Sequence, residues 1–296
     1  MQDSAARLTH QFLSVQGIRL HSVTQGEGPL IILLHGFPEF WYSWRHQIPV
    51  FAQTYKVVAV DLRGYNESDK PLPQSAYELS VLVEDIRGIL EALGYDRCIL
   101  CGHDWGGAIA WEFAYTYPNL LNRLIVLNLP HPALFKAGFF TPAQILKSWY
   151  IFLFQLPVLP EWLLSRDHGI LIAKILSLSA RGTNPFSPED LAAYQQAATT
   201  PGALTAMLNY YRNLPRSILR SRQWGLLEVP TLLIWGEQDV ALGRELTLGT
   251  HRYVRDLQIR YIPTCGHWVQ QEAPQEVNQY ILDWLASPLG DPQRPA

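Results

Sequence analysis

The chain has 296 residues, 48% hydrophobic and 17% charged, which is enough apolar material for a sizeable core and gives no compositional case for disorder. Its 23 Lys and Arg against 26 Asp and Glu leave a net charge of -3 with no long basic block, which argues against a nucleic-acid partner. Three cysteines are too few for a disulfide scaffold and fit a reducing, cytoplasmic setting.

No basic segment followed by an apolar run opens the chain, so no secretory signal is expected. Buried strands are predicted at 30–34 (LIILL), 55–62, 97–101, 124–127, 231–235 and 257–262, because continuous apolar runs of this length belong in a sheet covered on both faces. Between them, 77–93 carries Leu79, Leu82, Ile86, Ile89 and Leu93 at helical spacing, with Gly94 as the stop. Helices are also expected at 105–117 and 274–286. Strand and helix in alternation predict an α/β fold with an open, mostly parallel sheet. The alternation fails from about 132 to 224, where a Leu-, Ala- and aromatic-rich helical pattern reads as an insertion between two strands. Within it, the apolar run 149–164 is broken by Gln155, Pro157, Pro160 and Glu161. A membrane span needs about 20 apolar residues in a row, so this run is expected to line the inside of the fold.

The sharpest motif is Gly102-His103-Asp104-Trp105-Gly106-Gly107, placed after a strand and before a helix. Small residues on either side allow a tight turn that stands the Asp104 side chain at the strand's end. This is the nucleophile-elbow pattern with Asp in place of Ser; the alternative reading of Asp104 is a helix N-cap. Asp239, after the strand at 231–235, and His267, after the strand at 257–262, follow in the order nucleophile, acid, histidine. His267 would act as general base and Asp239 would fix its tautomer, with Glu237 as the rival acid. His35-Gly36-Phe37-Pro38 follows the first apolar strand, and its turn would aim the Phe37 N–H, with that of Trp105, at an oxyanion.

Taken together, HGFPEFWYSWR, DLRGYNESDKP, GHDWGG and CGHW resemble the epoxide hydrolase branch of the α/β-hydrolase superfamily, nearly end to end. The core motifs are shared with haloalkane and haloacetate dehalogenases. The resemblance implies a hydrolase core at 1–134 and 223–296, with a helical cap at 135–222. Asn209-Tyr210-Tyr211-Arg212-Asn213 is similar to the family segment bearing a ring-opening acid, which matches Tyr211. A looser match around 149–155 gives Tyr150 as the second acid, with Trp149 one position away. His35, Pro38, Trp149 and Phe154 are expected to touch substrate, and Phe139, Phe140, Phe152, Phe154, Leu156 and Met207 to make an apolar cap lining. Arg63, Glu39 and His103 receive only supporting roles.

The implied reaction converts a small apolar epoxide to a vicinal diol through an ester on Asp104, with no metal or organic cofactor, no nucleic acid and no membrane span. Monomer and homodimer both stay open. A dehalogenase using the same Asp, with Trp105 serving the halide, and a non-catalytic binding protein are the competing readings.

Overall fold

The computed structural model describes residues 7–182, 184–219 and 222–288. Eight strands form one sheet in the order β1-β2-β4-β3-β5-β6-β7-β8. They are β1 (Thr9–Val15), β2 (Ile18–Gln25), β3 (Leu30–Leu34), β4 (Lys56–Val60), β5 (Cys98–His103), β6 (Leu121–Leu127), β7 (Thr231–Gly236) and β8 (Leu257–Ile262). From β4 to β8 every pairing is parallel; β1 and β2 form an antiparallel hairpin that joins the sheet through β4.

Alternate residues of the central strands bury against opposite layers. Leu30, Ile32 and Leu34 face the core built with α2 (Leu79–Leu93) and α3 (Trp105–Thr116). Ile31 and Leu33 face Ile48 and Phe51 of α1 (Ile48–Phe51) and Trp284 of α11 (Pro274–Ala286). Because both faces are covered, these strands read as unbroken apolar runs. The three cysteines are buried and free.

The β1–β2 hairpin was not anticipated. β1 is partly exposed and interrupts its apolar residues with His10, Gln11 and Ser14, and β2, mostly buried, interrupts its own with His21, Ser22 and Thr24. The turn is made by Gln16 and Gly17, both at positive φ, the geometry of a two-residue hairpin turn.

Among the described residues, six helices lie between β6 and β7: α4 (Pro132–Phe139), α5 (Pro142–Lys147), α6 (Trp149–Leu153), α7 (Leu159–Ser179), α8 (Pro188–Ala198) and α9 (Ala203–Leu219). The expected division at 134/135 cuts through α4. The short helix α10 (Val269–Glu272) follows the loop after β8. The run 149–164 departs from its expected interior role. Trp149, Phe152, Leu156 and Trp162 stand exposed on the outer side of the insertion, while Ile151, Phe154 and Leu164 are buried. Phe140 is exposed as well, so Phe140, Phe152 and Leu156 do not form an apolar lining. Short helices interrupted by prolines turn one face out instead of burying all round.

Candidate active site

The elbow after β5 places Asp104 at φ 49° and ψ -120°, outside the conformations an ordinary side chain prefers. The neighbouring glycine makes this possible. A Cβ on Gly106 would lie 2.2 Å from the Leu34 carbonyl oxygen. Asp104 makes no side-chain cap on α3, so its carboxylate is not spent on the helix end. Instead Oδ1 accepts the Phe37 N–H at 2.9 Å, and Oδ2 lies 3.6 Å from His267 Nε2. His267 Nδ1 faces Asp239 Oδ2 at 2.7 Å. Asp239 Oδ1 accepts the N–H groups of Ala241 and Leu242 at 2.7 and 2.9 Å. Glu237, the rival acid, pairs with Arg244 at 2.8 Å instead.

All three members of this row are buried. Burial pushes the Asp104 carboxyl up, but the His267 imidazolium and the Phe37 N–H more than offset this, leaving it below the usual carboxylate value. Burial pulls His267 down, yet Asp239 and Asp104 together hold it well above the usual histidine value. Asp239 is lowered too, its burial outweighed by His267, Asn128 and the Leu242 N–H.

A cavity of about 720 Å³ opens over Asp104, walled by Trp105, Leu129, Phe135, Tyr150, Ile151 and Tyr211 among others. Tyr150 comes from α6 and Tyr211 from α9, with ring centroids 5.9 Å apart at 80°. Burial and the Asp104 charge push both phenols far above their ordinary values, so both keep their protons. Tyr211 is clamped by Phe37 (5.3 Å), Trp105 (5.1 Å) and Phe154 (5.0 Å), all edge-on. Its neighbour Tyr210 points away, and its hydroxyl donates to the Arg63 carbonyl at 2.7 Å.

A model of the alpha/beta hydrolase fold matches residues 29–274. Over 287 residues the chain is 41% identical to epoxide hydrolase 4 of Mus musculus, covering 94% of this chain and 79% of that protein. It is 43% identical to the AB hydrolase superfamily protein YfhM of Bacillus subtilis (strain 168), covering 93% and 97%. The crystal structure of the Bacillus megaterium epoxide hydrolase in complex with an inhibitor matches with TM-score 0.87 and 36% identity, covering 94% of this chain and 100% of that one. The chain belongs to the epoxide hydrolase branch of the α/β-hydrolase family.

Within this α/β-hydrolase, four expected substrate contacts fall elsewhere. Trp149 is 62% exposed on the outer side of α6, one position from the cavity-facing Tyr150. His35 is fully buried with both nitrogens committed: Nδ1 to the Gly36 carbonyl at 2.8 Å, and Nε2 to the Leu62 N–H at 3.0 Å. It shapes the turn that carries Phe37. Pro38 is buried within that turn, and Phe154 supports Tyr211 from behind; neither lines the cavity.

A residue that the motifs did not single out is Asn128, just past the end of β6. Held at φ 43°, it donates to Asp239 Oδ2 at 2.7 Å and accepts the Gly236 N–H at 3.0 Å, locking the acid loop to the sheet. An Asn just past a buried strand, tolerant of positive φ, was the only available signal. Glu39 and His103 are also more than incidental. Glu39 Oε2 accepts the Gly36 N–H at 2.9 Å and meets His103 Nδ1 at 2.7 Å, while His103 Nε2 meets the His267 carbonyl at 2.8 Å. Both ring nitrogens of His103 are thus committed, one to Glu39 and one to the loop that carries His267, so His103 braces the turn of Gly36 against the His267 loop. Among the described residues, no group of three or more His, Cys, Asp or Glu is arranged to hold a metal ion, and no helix is long and apolar enough to cross a membrane.

Proposed function

We propose that this enzyme opens an apolar epoxide to a vicinal diol through a covalent ester on Asp104. The observation that carries this reading is the cavity itself, in which one buried, ionised carboxylate faces two protonated phenols. Asp104 Oδ2, the oxygen not held by the Phe37 N–H, attacks an epoxide carbon. The carbon–oxygen bond breaks, and the departing oxygen takes a proton from Tyr150 or Tyr211.

Forming the ester cancels the Asp104 charge and so removes one of the two carboxylates that hold a proton on His267. The imidazolium then passes that proton to the tyrosinate left by ring opening, the neutral imidazole takes a proton from water, and the hydroxide adds to the Asp104 carbonyl carbon. The developing oxyanion sits at the Phe37 N–H, with the Trp105 N–H as the second donor. Collapse breaks the ester carbon–oxygen bond, His267 protonates the departing diol oxygen, and the Asp104 carboxylic acid returns its proton to His267, which restores the carboxylate.

The experiment is a single turnover of styrene oxide in oxygen-18 water. The label belongs on Asp104 and not in the first diol, because the diol's new oxygen comes from the carboxylate. Label appearing directly in that first diol would contradict the ester. The dehalogenase reading competes for the same Asp104, but the two phenols that share its cavity, Tyr150 and Tyr211, favour the epoxide. Halide release from a chloroalkane panel in the absence of diol formation would reverse the assignment.

A further inference from the structure

We infer that the outer face of the helical insertion, over residues 140–162, docks on the surface of an anionic lipid bilayer. Seventeen large apolar side chains are exposed among the described residues, and nine of them lie in this window. They include Leu146 at 77%, Trp149 at 62% and Trp162 at 51% exposure. Apolar residues scattered singly need no explanation, but half of the total gathered into one short segment does.

The face is also free of exposed charge. Its two ionic residues are turned to internal partners: Lys147 Nζ donates to the Asp239 carbonyl at 2.9 Å, and Glu161 pairs with Arg212 at 2.8 Å. The two-sidedness is visible within single helices. On α6, Tyr150 and Ile151 line the cavity while Trp149 and Phe152 face outward. On α4, Phe135 and Lys136 line the cavity and the chain then runs out to exposed Phe140.

Charge selects the occupant. Of the charged residues at 132–182, Lys136, Lys147 and Glu161 are turned inward, which leaves Arg166, Lys174 and Arg181 against Asp167, while the remainder of the chain holds 18 Lys and Arg against 24 Asp and Glu. A basic surround on an otherwise acidic protein complements an anionic surface. Two copies meeting through the same face would bring their cations together, which disfavours self-association. The indoles of Trp149 and Trp162 suit the headgroup level, where an aromatic ring meets both apolar and polar surroundings. Arg166 lies over the Trp162 ring at 4.6 Å, ready to reach phosphate. Docking in this way lays the outer wall of the substrate cavity against lipid.

Vesicle binding reads this proposal without any turnover, so it stands or falls separately from the epoxide assignment. The full chain should sediment with phosphatidylglycerol/phosphatidylcholine vesicles and stay in the supernatant with phosphatidylcholine alone. Arg166→Gln with Lys174→Gln should weaken the partition about 30-fold, as expected for two cations near such a surface. Leu146→Gln, Leu156→Gln and Trp162→Gln combined should abolish it. Circular dichroism and diol formation from a water-soluble epoxide should be unchanged in both variants. Three results would overturn the inference: no binding to anionic vesicles, undiminished binding by the triple variant, or a dimer that the triple variant dissociates.

Discussion

Asp104 and His267 hold each other in their charged forms, and the signs of their shifts fix how pH acts on the protein. Asp104 is depressed in the fold, so its stabilising contribution is present above the unfolded value of about 3.9 and is lost as pH falls through the lower folded value. His267 is raised, so its contribution is complete below the unfolded value of about 6.5 and is lost as pH rises through the folded value. The melting-temperature difference between the wild type and His267→Gln should therefore be largest between about pH 4 and 6.5 and shrink at higher pH. A difference independent of pH would contradict the pairing. The same variant keeps the nucleophile but lacks the base, so intact-mass spectrometry should find an adduct heavier by one epoxide. Asp239→Asn leaves the geometry but disrupts the tautomer. Turnover should fall by about 10⁴-fold, measured as steady-state diol formation.

The elbow and the turn opposite it tolerate no added carbon, but for different reasons. A methyl on Gly106 meets backbone oxygen of Leu34 and His35, which cannot move without shifting β3. Gly106→Ala should lower stability by about 1–3 kcal/mol or more in urea denaturation. A methyl on Gly36 would instead stand 2.6 Å from Asp104 Oδ1, so Gly36→Ala should cost more in turnover than in urea midpoint. At this scale the central strands were legible because burial on both faces leaves an apolar run that polarity cannot disguise. β8 and α11 have the bounds that were expected, whereas β1 was invisible because an edge strand needs only alternate positions apolar, and β2 because buried His21, Ser22 and Thr24 break its apolar run. The positions flanking Asp104 were legible for a related reason, since a forced backbone conformation restricts the sequence to small residues.

Across the whole molecule, the insertion is fastened to the core through α9. The Tyr210 hydroxyl donates to the Arg63 carbonyl, and Asn213 Nδ2 donates to the Gln74 carbonyl at 2.8 Å. Arg63 is itself held by a buried two-pronged pair with Asp85, at 2.8 and 2.6 Å. Removing one member strands a buried charge, so Arg63→Ala should cost about 3–5 kcal/mol, read as a shifted urea midpoint. Tyr210→Phe removes a single hydrogen bond worth about 1 kcal/mol. Because Tyr211 is the next residue on the same helix, that change should lower kcat more than its small effect on stability suggests.

Local chain chemistry determined the sheet, the elbow, and the order Asp104, Asp239, His267, because each is imposed by a periodicity or by a backbone conformation that few residues accept. Which ring of a helical pair faces the nucleophile is set by how each helix rolls against the core, and spacing along the chain carries no such information. Packing therefore decided that Tyr150 faces the cavity while Trp149 faces out, that Tyr211 and not Tyr210 stands over Asp104, and that Asn128 braces Asp239 across 111 residues of sequence.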